Sequence, residues 1–298
     1  MTLLITILCD ETVSNIPLVP LLRKLPPDQL AIVTVPSTDY DIEYGVHVSP
    51  SLNHLLSLLI PRRKLVGQGF RLNTLFKRLG FKIDRLTDFE LAVSMLLSLW
   101  LKEKTPLLDF YGKISNNLGI PHQIFPLLDP PPSLVVETTN GSRLFPYQMV
   151  NNNIEKIKEL VYYNLDKAEI ISETKKILVN SDIVLLFQLS ALSMYFLKSI
   201  GSLKKILENY KGTILYILPD TITNIDMHLL SILGYSGDLY GLVKMAHEQV
   251  DAIIFDENDH EFISNLSEIK LTFYPVPYKF QTTEDVNVFI EHILKVLQ

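Results

Sequence analysis

Six largely apolar runs, residues 3–8, 30–35, 182–187, 213–218, 251–255 and 269–274, constrain this chain's fold more than any other feature. The second, Leu30-Ala31-Ile32-Val33-Thr34-Val35, is apolar almost throughout, which suits a parallel strand covered on both faces. Helical stretches separate the runs at residues 16–25, 193–207 and 225–247, and an amphipathic helix over 284–297 closes the chain. Strands that alternate with helices predict an α/β fold, a Rossmann-like three-layer parallel sheet. In such sheets ligands sit beyond the carboxyl ends of the strands.

The middle of the chain breaks this rhythm. Residues 52–120 read as helical almost throughout, with Leu91-Ala92, Met95-Leu96 and Leu99-Trp100 spaced to form one broad apolar face. Two strand-like runs follow, 133–137 and 142–145, joined across Thr139-Asn140-Gly141, and Asn-Gly between alternating residues signals a hairpin. The expected organisation is therefore an α/β core of residues 1–50 and 151–298, with a helical and hairpin insertion, 51–150, covering the ligand site. Asp129-Pro130-Pro131-Pro132 reads as a stiff local turn.

Composition narrows the function classes. A chain of 298 residues, 47% hydrophobic, can bury a large core. Net charge is −6 with Lys and Arg scattered, so there is no basic stripe and no nucleic-acid partner is expected. The longest run without a charged residue or histidine, 183–197, contains Gln188, Ser190 and Ser193 and falls short of the ~20 apolar residues that span a bilayer. No basic leader opens the sequence, so a cytoplasmic location without membrane association is expected. The single cysteine, Cys9, allows no internal disulfide and reads as a buried small hydrophobe.

A parallel sheet that holds a phosphate usually does so with a glycine-rich turn after its first strand, because glycine lets backbone N–H groups approach the anion. Here that turn is Cys9-Asp10-Glu11-Thr12-Val13-Ser14-Asn15, with two acids and no glycine. After the second strand come Pro36-Ser37-Thr38-Asp39-Tyr40-Asp41 and then Gly45 to His54. Carboxylates at a strand end can hold Mg²⁺ through one or two oxygens, so Asp39, Asp41 and His47 are the candidate metal ligands; a solvated, capped turn is the plainer alternative. Ser49-Pro50 reads as a helix entrance that places Asn53 and His54 in the first turn. The acidic stretch from Phe255 to Glu261, the basic cluster Arg62-Arg63-Lys64, and His122, His228 and His247 read as solvated or core residues before they read as ligands.

Three stretches in order, Gly45-Val46-His47-Val48-Ser49-Pro50-Ser51-Leu52-Asn53, then Gly67-Gln68-Gly69 with Asn73-Thr74-Leu75, then Leu86-Thr87-Asp88-Phe89-Glu90-Leu91-Ala92, resemble the CofD family. Its members are 2-phospho-L-lactate transferases of deazaflavin coenzyme biosynthesis, related to YvcK-type gluconeogenesis factors. The family pattern there is approximately G-L-H-I-S-P-D-L-D, G-W-G with D-T-F, and L-G-D-R-D-L-A. Gly119-Ile120, Ile124-Phe125-Pro126, Asp182 to Leu186 and Ala252 to Asp256 continue the likeness downstream. The resemblance implies that a phospholactyl or phosphoenolpyruvyl group passes from a guanosine diphosphate donor to the ribityl hydroxyl of the deazaflavin Fo, with Mg²⁺ on the phosphates. It implies Asp39 and Asp88 as catalytic and metal-binding carboxylates, and His47, Ser49, Asn53, Arg85 and Ser190 as substrate contacts. It also implies a homodimer.

The departures fall on the loops that would touch phosphate or guanine. The family's amino-terminal G-G-x-G-G turn is replaced by Cys9 to Asn15, and its P-S-N-P loop by Gln188-Leu189-Ser190-Ala191. Its arginine in G-D-R-D is Phe89, and a later glycine-rich loop is Asp220-Thr221-Ile222-Thr223-Asn224. Removing one donor from a charged transition state reduces rate by ~10²–10³. Two readings follow: a CofD-like transferase, or an inactive or repurposed ligand-binding or regulatory protein on that scaffold.

Overall fold

In the computed structural model, which describes residues 3–12, 15–42, 45–61, 67–80, 86–141, 143–144, 157–259, 269–278, 280 and 282–297, the six apolar runs all become strands of one sheet. The chain opens with β1 (Ile5–Cys9), α1 (Asn15–Lys24), β2 (Leu30–Thr34), and a short hairpin of β3 (Tyr40–Ile42) and β4 (Val46–Val48). Four helices follow: α2 (Pro50–Leu59), α3 (Arg71–Arg78), α4 (Asp88–Lys102) and α5 (Leu107–Leu118). Then come β5 (Gln123–Pro126), β6 (Leu128–Asp129), β7 (Ser133–Thr138), β8 (Arg143–Leu144), β9 (Ile157–Tyr163) and β10 (Glu169–Ile170). The last part alternates: α6 (Ser172–Asn180), β11 (Ile183–Phe187), α7 (Ala191–Ser199), α8 (Gly201–Glu208) and β12 (Thr213–Ile217). It ends with α9 (Asn224–Ile232), α10 (Leu239–Ala246), β13 (Ala252–Asp256), β14 (Thr272–Val276) and α11 (Thr283–Val296).

The main sheet has seven parallel strands in the order β14-β13-β12-β11-β1-β2-β5. Successive side chains of a strand point to opposite faces, and here both faces are covered. Ile5, Ile7 and Cys9 of β1, with Ile183, Leu185 and Phe187 of β11, meet Leu18, Leu21, Leu55 and Phe289 from α1, α2 and α11. Leu8, Val184 and Leu186 instead meet Leu178, Phe196, Leu203 and Leu242 from α6, α7, α8 and α10. Each such side chain removed from water contributes about 1.5–3 kcal/mol, which is why the strands read as apolar runs without alternation. Cys9 is 1% exposed, and burial followed by Asp10's charge pushes its thiol pKa up, so it stays protonated.

The Asn-Gly hairpin is present: Val136 lies opposite Leu144 and Glu137 opposite Arg143, with Gly141 at φ 79 in the turn. Ser142 and Phe145 lie outside the described residues. β9 pairs along the other edge of β7, giving a three-stranded antiparallel sheet. β5, from within residues 51–150, is hydrogen-bonded to β2 as the edge strand of the main sheet.

One expectation is corrected. Of the predicted apolar face of α4, Leu91 is buried as expected, but Met95, Leu96 and Leu99 are 45%, 54% and 57% exposed, and Val93, Ser94, Leu97 and Ser98 are buried instead. Two serines explain the rotation. Ser94 Oγ donates to Glu90 O and Ser98 Oγ to Ser94 O, so their hydroxyls are satisfied within the helix. Their small side chains let α4 approach β4 and α2 closely, where Ser98 also accepts the His47 N–H at 2.7 Å. Trp100 is half-buried, tilted against Phe110 at 5.7 Å, with its ring N–H on Pro106 O.

Candidate ligand pocket at the sheet switch point

β1 and β11 are neighbours, yet the chain leaves β1 toward β2 and β11 toward β12. Their following loops diverge there and leave a crevice. Asp10-Glu11-Thr12 follows β1, and Gln188-Leu189-Ser190 follows β11, with Gln188 at φ 52. A cavity of about 400 Å³ opens at this point, bounded also by α2, the start of α4 and the start of α9. Val48, Leu86, Leu192 and Ile225 form its apolar walls, and Glu11, Thr38, Asn53, Glu90 and Asp226 its polar ones.

The N-terminus of α7 points its free N–H groups at this crevice, the arrangement that elsewhere receives a phosphate. Here the protein's own carboxylates occupy it. Asp10 Oδ2 accepts from Ser190 N and Ser190 Oγ, both at 3.0 Å, and from Ser193 Oγ. Its Oδ1 accepts from Thr12 N at 2.8 Å. The next amide, Ala191 N, donates to Asp226 Oδ1 at 2.9 Å. Asp226 reaches back because it closes the capping box of α9 with Thr223, and burial, only partly offset by these bonds, raises its pKa.

Behind the cavity the β3–β4 hairpin assembles a second polar group. Pairing sets Asp41 opposite His47, and His47 Nδ1 lies 2.9 Å from Asp41 Oδ1 and Nε2 lies 3.5 Å from Asp39 Oδ2. Ser49 Oγ donates to Asp39 at 3.0 Å, and Ser133 Oγ donates to Asp41. Burial pulls the His47 pKa down, but bonds and charge from the two carboxylates outweigh it and carry it up to about 9. Burial also raises Asp39, with His47 and Ser49 offsetting only part of the effect. Asp41 ends below its usual range, since His47 and Ser133 overcome its burial. The two acids thus favour the protonated imidazole, which is hydrogen-bonded to Asp41 and lies 3.5 Å from Asp39.

Asp39, His47 and Ser49 therefore come together, and Asn53 and Ser190 line the adjoining cavity. Asp88 is turned elsewhere: it begins α4, its carboxylate accepts Leu72 N at 2.8 Å, and its N–H donates to Gly69 O. Arg85 and the cluster at residues 62–64 lie outside the described residues. His122 is a buried core histidine bonded to Leu22 O. Mg²⁺ does not suit the carboxylates in place, since Asp39 holds His47, Asp88 holds the α3 entrance, and Asp10 is filled with donors. Among the described residues no group of three or more His, Cys, Asp or Glu side chains is arranged to hold a metal.

The sequence reading missed Glu11, Thr38 and Asp226 as pocket residues. Asp226 carries a legible local signal, Thr223-x-x-Asp226, which marks a helix start but does not say that the acid also serves α7. Glu11 pKa is raised well above the usual carboxylate range, first by burial and then by Asp10's charge.

Two solved structures share this fold. One, a member of the UPF0052 family from Bacillus halodurans, matches with a TM-score of 0.63 at 13% identity over 98% of this chain and 99% of its own. A second crystal structure of the same Bacillus halodurans protein gives a TM-score of 0.65 at 11% identity over 99% of this chain and 100% of its own. No family model matches the chain, and no curated protein matches it.

Proposed function

We propose that this chain is a CofD-like protein that binds a phosphate-free organic ligand at the switch-point pocket and does not transfer phosphoryl groups. The frame comes from the motif resemblance and from the UPF0052 neighbour, the family of CofD and YvcK-type proteins. The observation that carries the reading is Asp10, whose carboxylate takes the amide and hydroxyl donors that a nucleotide phosphate needs. A phosphate arriving there meets the Asp10 carboxylate already seated on those donors, and like charges at contact distance repel strongly in a buried site. The His47 charge does not redress this balance, being neutralised between Asp39 and Asp41.

The test is a titration with Fo followed by its fluorescence, with and without Mg²⁺ and guanosine diphosphate, alongside an assay for a phosphorylated Fo product. The expected result is that nucleotide and metal neither bind at the pocket nor strengthen any binding of Fo, and that no product forms. Binding of Fo that depends on both, or product formation from an activated guanosine diphosphate donor, would establish the CofD-like transferase instead.

A further inference from the structure

We infer that α3 docks this protein on an anionic lipid bilayer, lying in the interface with its leucines toward the acyl chains and its arginines at the headgroups. The helix is attached to the body along one side. Asn73 is buried, and Phe76 packs against the cluster of Tyr40, Ile42, Val48, Leu86 and Leu91. At about 100° per residue, Leu72, Leu75 and Leu79 fall within a stripe about 60° wide next to Phe76. A globular protein usually turns such a stripe to its core. Here the three leucines face solvent, 40%, 50% and 63% exposed.

The charge of the helix says what covers that stripe. Arg71, Lys77 and Arg78 are its only charged residues, all basic, in a chain of net charge −6. On the same helical projection Arg71 and Arg78 border the leucines on the side away from Asn73. The sequence around the helix continues the bias. Residues 62–85 hold eight of the chain's 27 Lys and Arg residues and a single acid, Asp84, so basic residues that are sparse elsewhere are concentrated here. An apolar stripe edged by arginines suits a surface that is negative outside and apolar beneath, since the guanidinium reaches phosphate while its stem lies along the hydrocarbon. A nucleic acid would meet the arginines but leave the leucines against phosphates. A second copy of the chain needs more surface than this helix has. Eight residues make a cylinder about 12 Å long and 10 Å across, whose outer face is far below the ~800 Å² that each partner of a stable protein interface buries. Among the described residues no helix is long and apolar enough to cross a membrane, but a helix that lies in the interface needs neither property. The expected lack of membrane association, which rested on spanning runs and a leader, is revised on this ground to peripheral docking. None of these α3 residues lines the switch-point pocket, so the inference stands apart from the ligand reading.

The experiment sediments the full chain with vesicles of phosphatidylcholine alone and of phosphatidylcholine mixed with phosphatidylserine, at low and high salt. Each basic residue near an anionic surface strengthens binding about fivefold, so the mixed vesicles are expected to bind at least about tenfold more tightly than the neutral ones, and high salt is expected to remove the difference. Leu75→Ser with Leu79→Ser is expected to weaken binding to the mixed vesicles at least about tenfold, with circular dichroism confirming the fold. Arg71→Gln with Arg78→Gln is expected to weaken it similarly, and this pair locates the contact even if the leucine pair does not fold. Absence of binding to the mixed vesicles, equal affinity for both kinds, or unchanged binding by either folded double variant overturns the assignment. A lipid-free dimer in sedimentation velocity that the leucine pair dissolves overturns it in favour of a second copy, and tighter binding of a single-stranded oligonucleotide than of the mixed vesicles overturns it in favour of nucleic acid.

Discussion

Replacing Asp10 with alanine tests directly whether a carboxylate fills an anion site at the start of α7. Asp10 is 1% exposed and accepts from Ser190 N, Ser190 Oγ, Ser193 Oγ and Thr12 N. Not all of these are lost for good. Thr12 is exposed and turns to water, and the Ser190 and Ser193 hydroxyls, 3.3 Å apart, re-pair with each other and with Ser37. The Ser190 N–H is fixed by the backbone and stays unpaired, at roughly 1–3 kcal/mol. Loss of a negative charge from the helix N-terminus adds about 0.3–2 kcal/mol. Relief of repulsion with Asp226 and Glu11 returns some of this, so Asp10→Ala is expected to destabilise the protein by about 2–4 kcal/mol in urea denaturation. The vacated position should then accept inorganic phosphate. At ten times its Kd, phosphate would restore about 1.4 kcal/mol to the variant and nothing to the wild type. The reasoning is refuted if the variant is as stable as wild type, or if chloride at matched ionic strength restores it as well as phosphate does.

His47 makes stability depend on pH in the neutral to alkaline range. Its folded pKa, about 9, lies above the usual 6.5 of a histidine, so its contribution is complete below pH 6.5 and is lost as pH rises to 9. The full swing is about 3 kcal/mol. Glu11, also raised, acts in the same direction, so the difference between wild type and His47→Gln isolates the histidine; parallel urea midpoints at pH 6.5 and 9 for the two proteins would contradict the pairing with Asp39 and Asp41. Gly67 sits at φ 74, and a Cβ there would lie 3.1 Å from Phe89 N, which donates to Gly67 O at 2.8 Å. Gly67→Ala is expected to cost about 1–2 kcal/mol, and an unchanged thermal midpoint would show that this loop is not held as described.

The parallel sheet was legible because β1, β2 and β11 are buried on both faces, and that demand leaves apolar runs in any sequence that meets it. α4 was misread for the opposite reason. Periodicity marks where large apolar residues recur, but it does not show that Ser94 and Ser98, satisfied within the helix, permit the closer approach. The site divides the same way. Asp39, His47 and Ser49 lie within ten residues and meet across one hairpin, so local reading found them. Asp10, Ser190 and Asp226 converge from three separate strand ends, and only the strand order brings them together. Asp88 followed the family pattern by position, but its carboxylate is spent on the N–H of Leu72.

The rear of the pocket is fastened to the three-stranded sheet, which is separate from the seven-stranded one. Leu134 N donates to Asp39 O, Ser133 Oγ to Asp41, and Tyr162 Oη to Ser37 O, so β7 and β9 hold the strand that carries Ser37 to Asp41. The rigidity of the binding site is therefore borrowed from outside the main sheet. Opening β7 and β9 would slacken the cavity while leaving the central strands paired, and a bound ligand would be felt as slower amide exchange in β7 and β9, which form none of its walls.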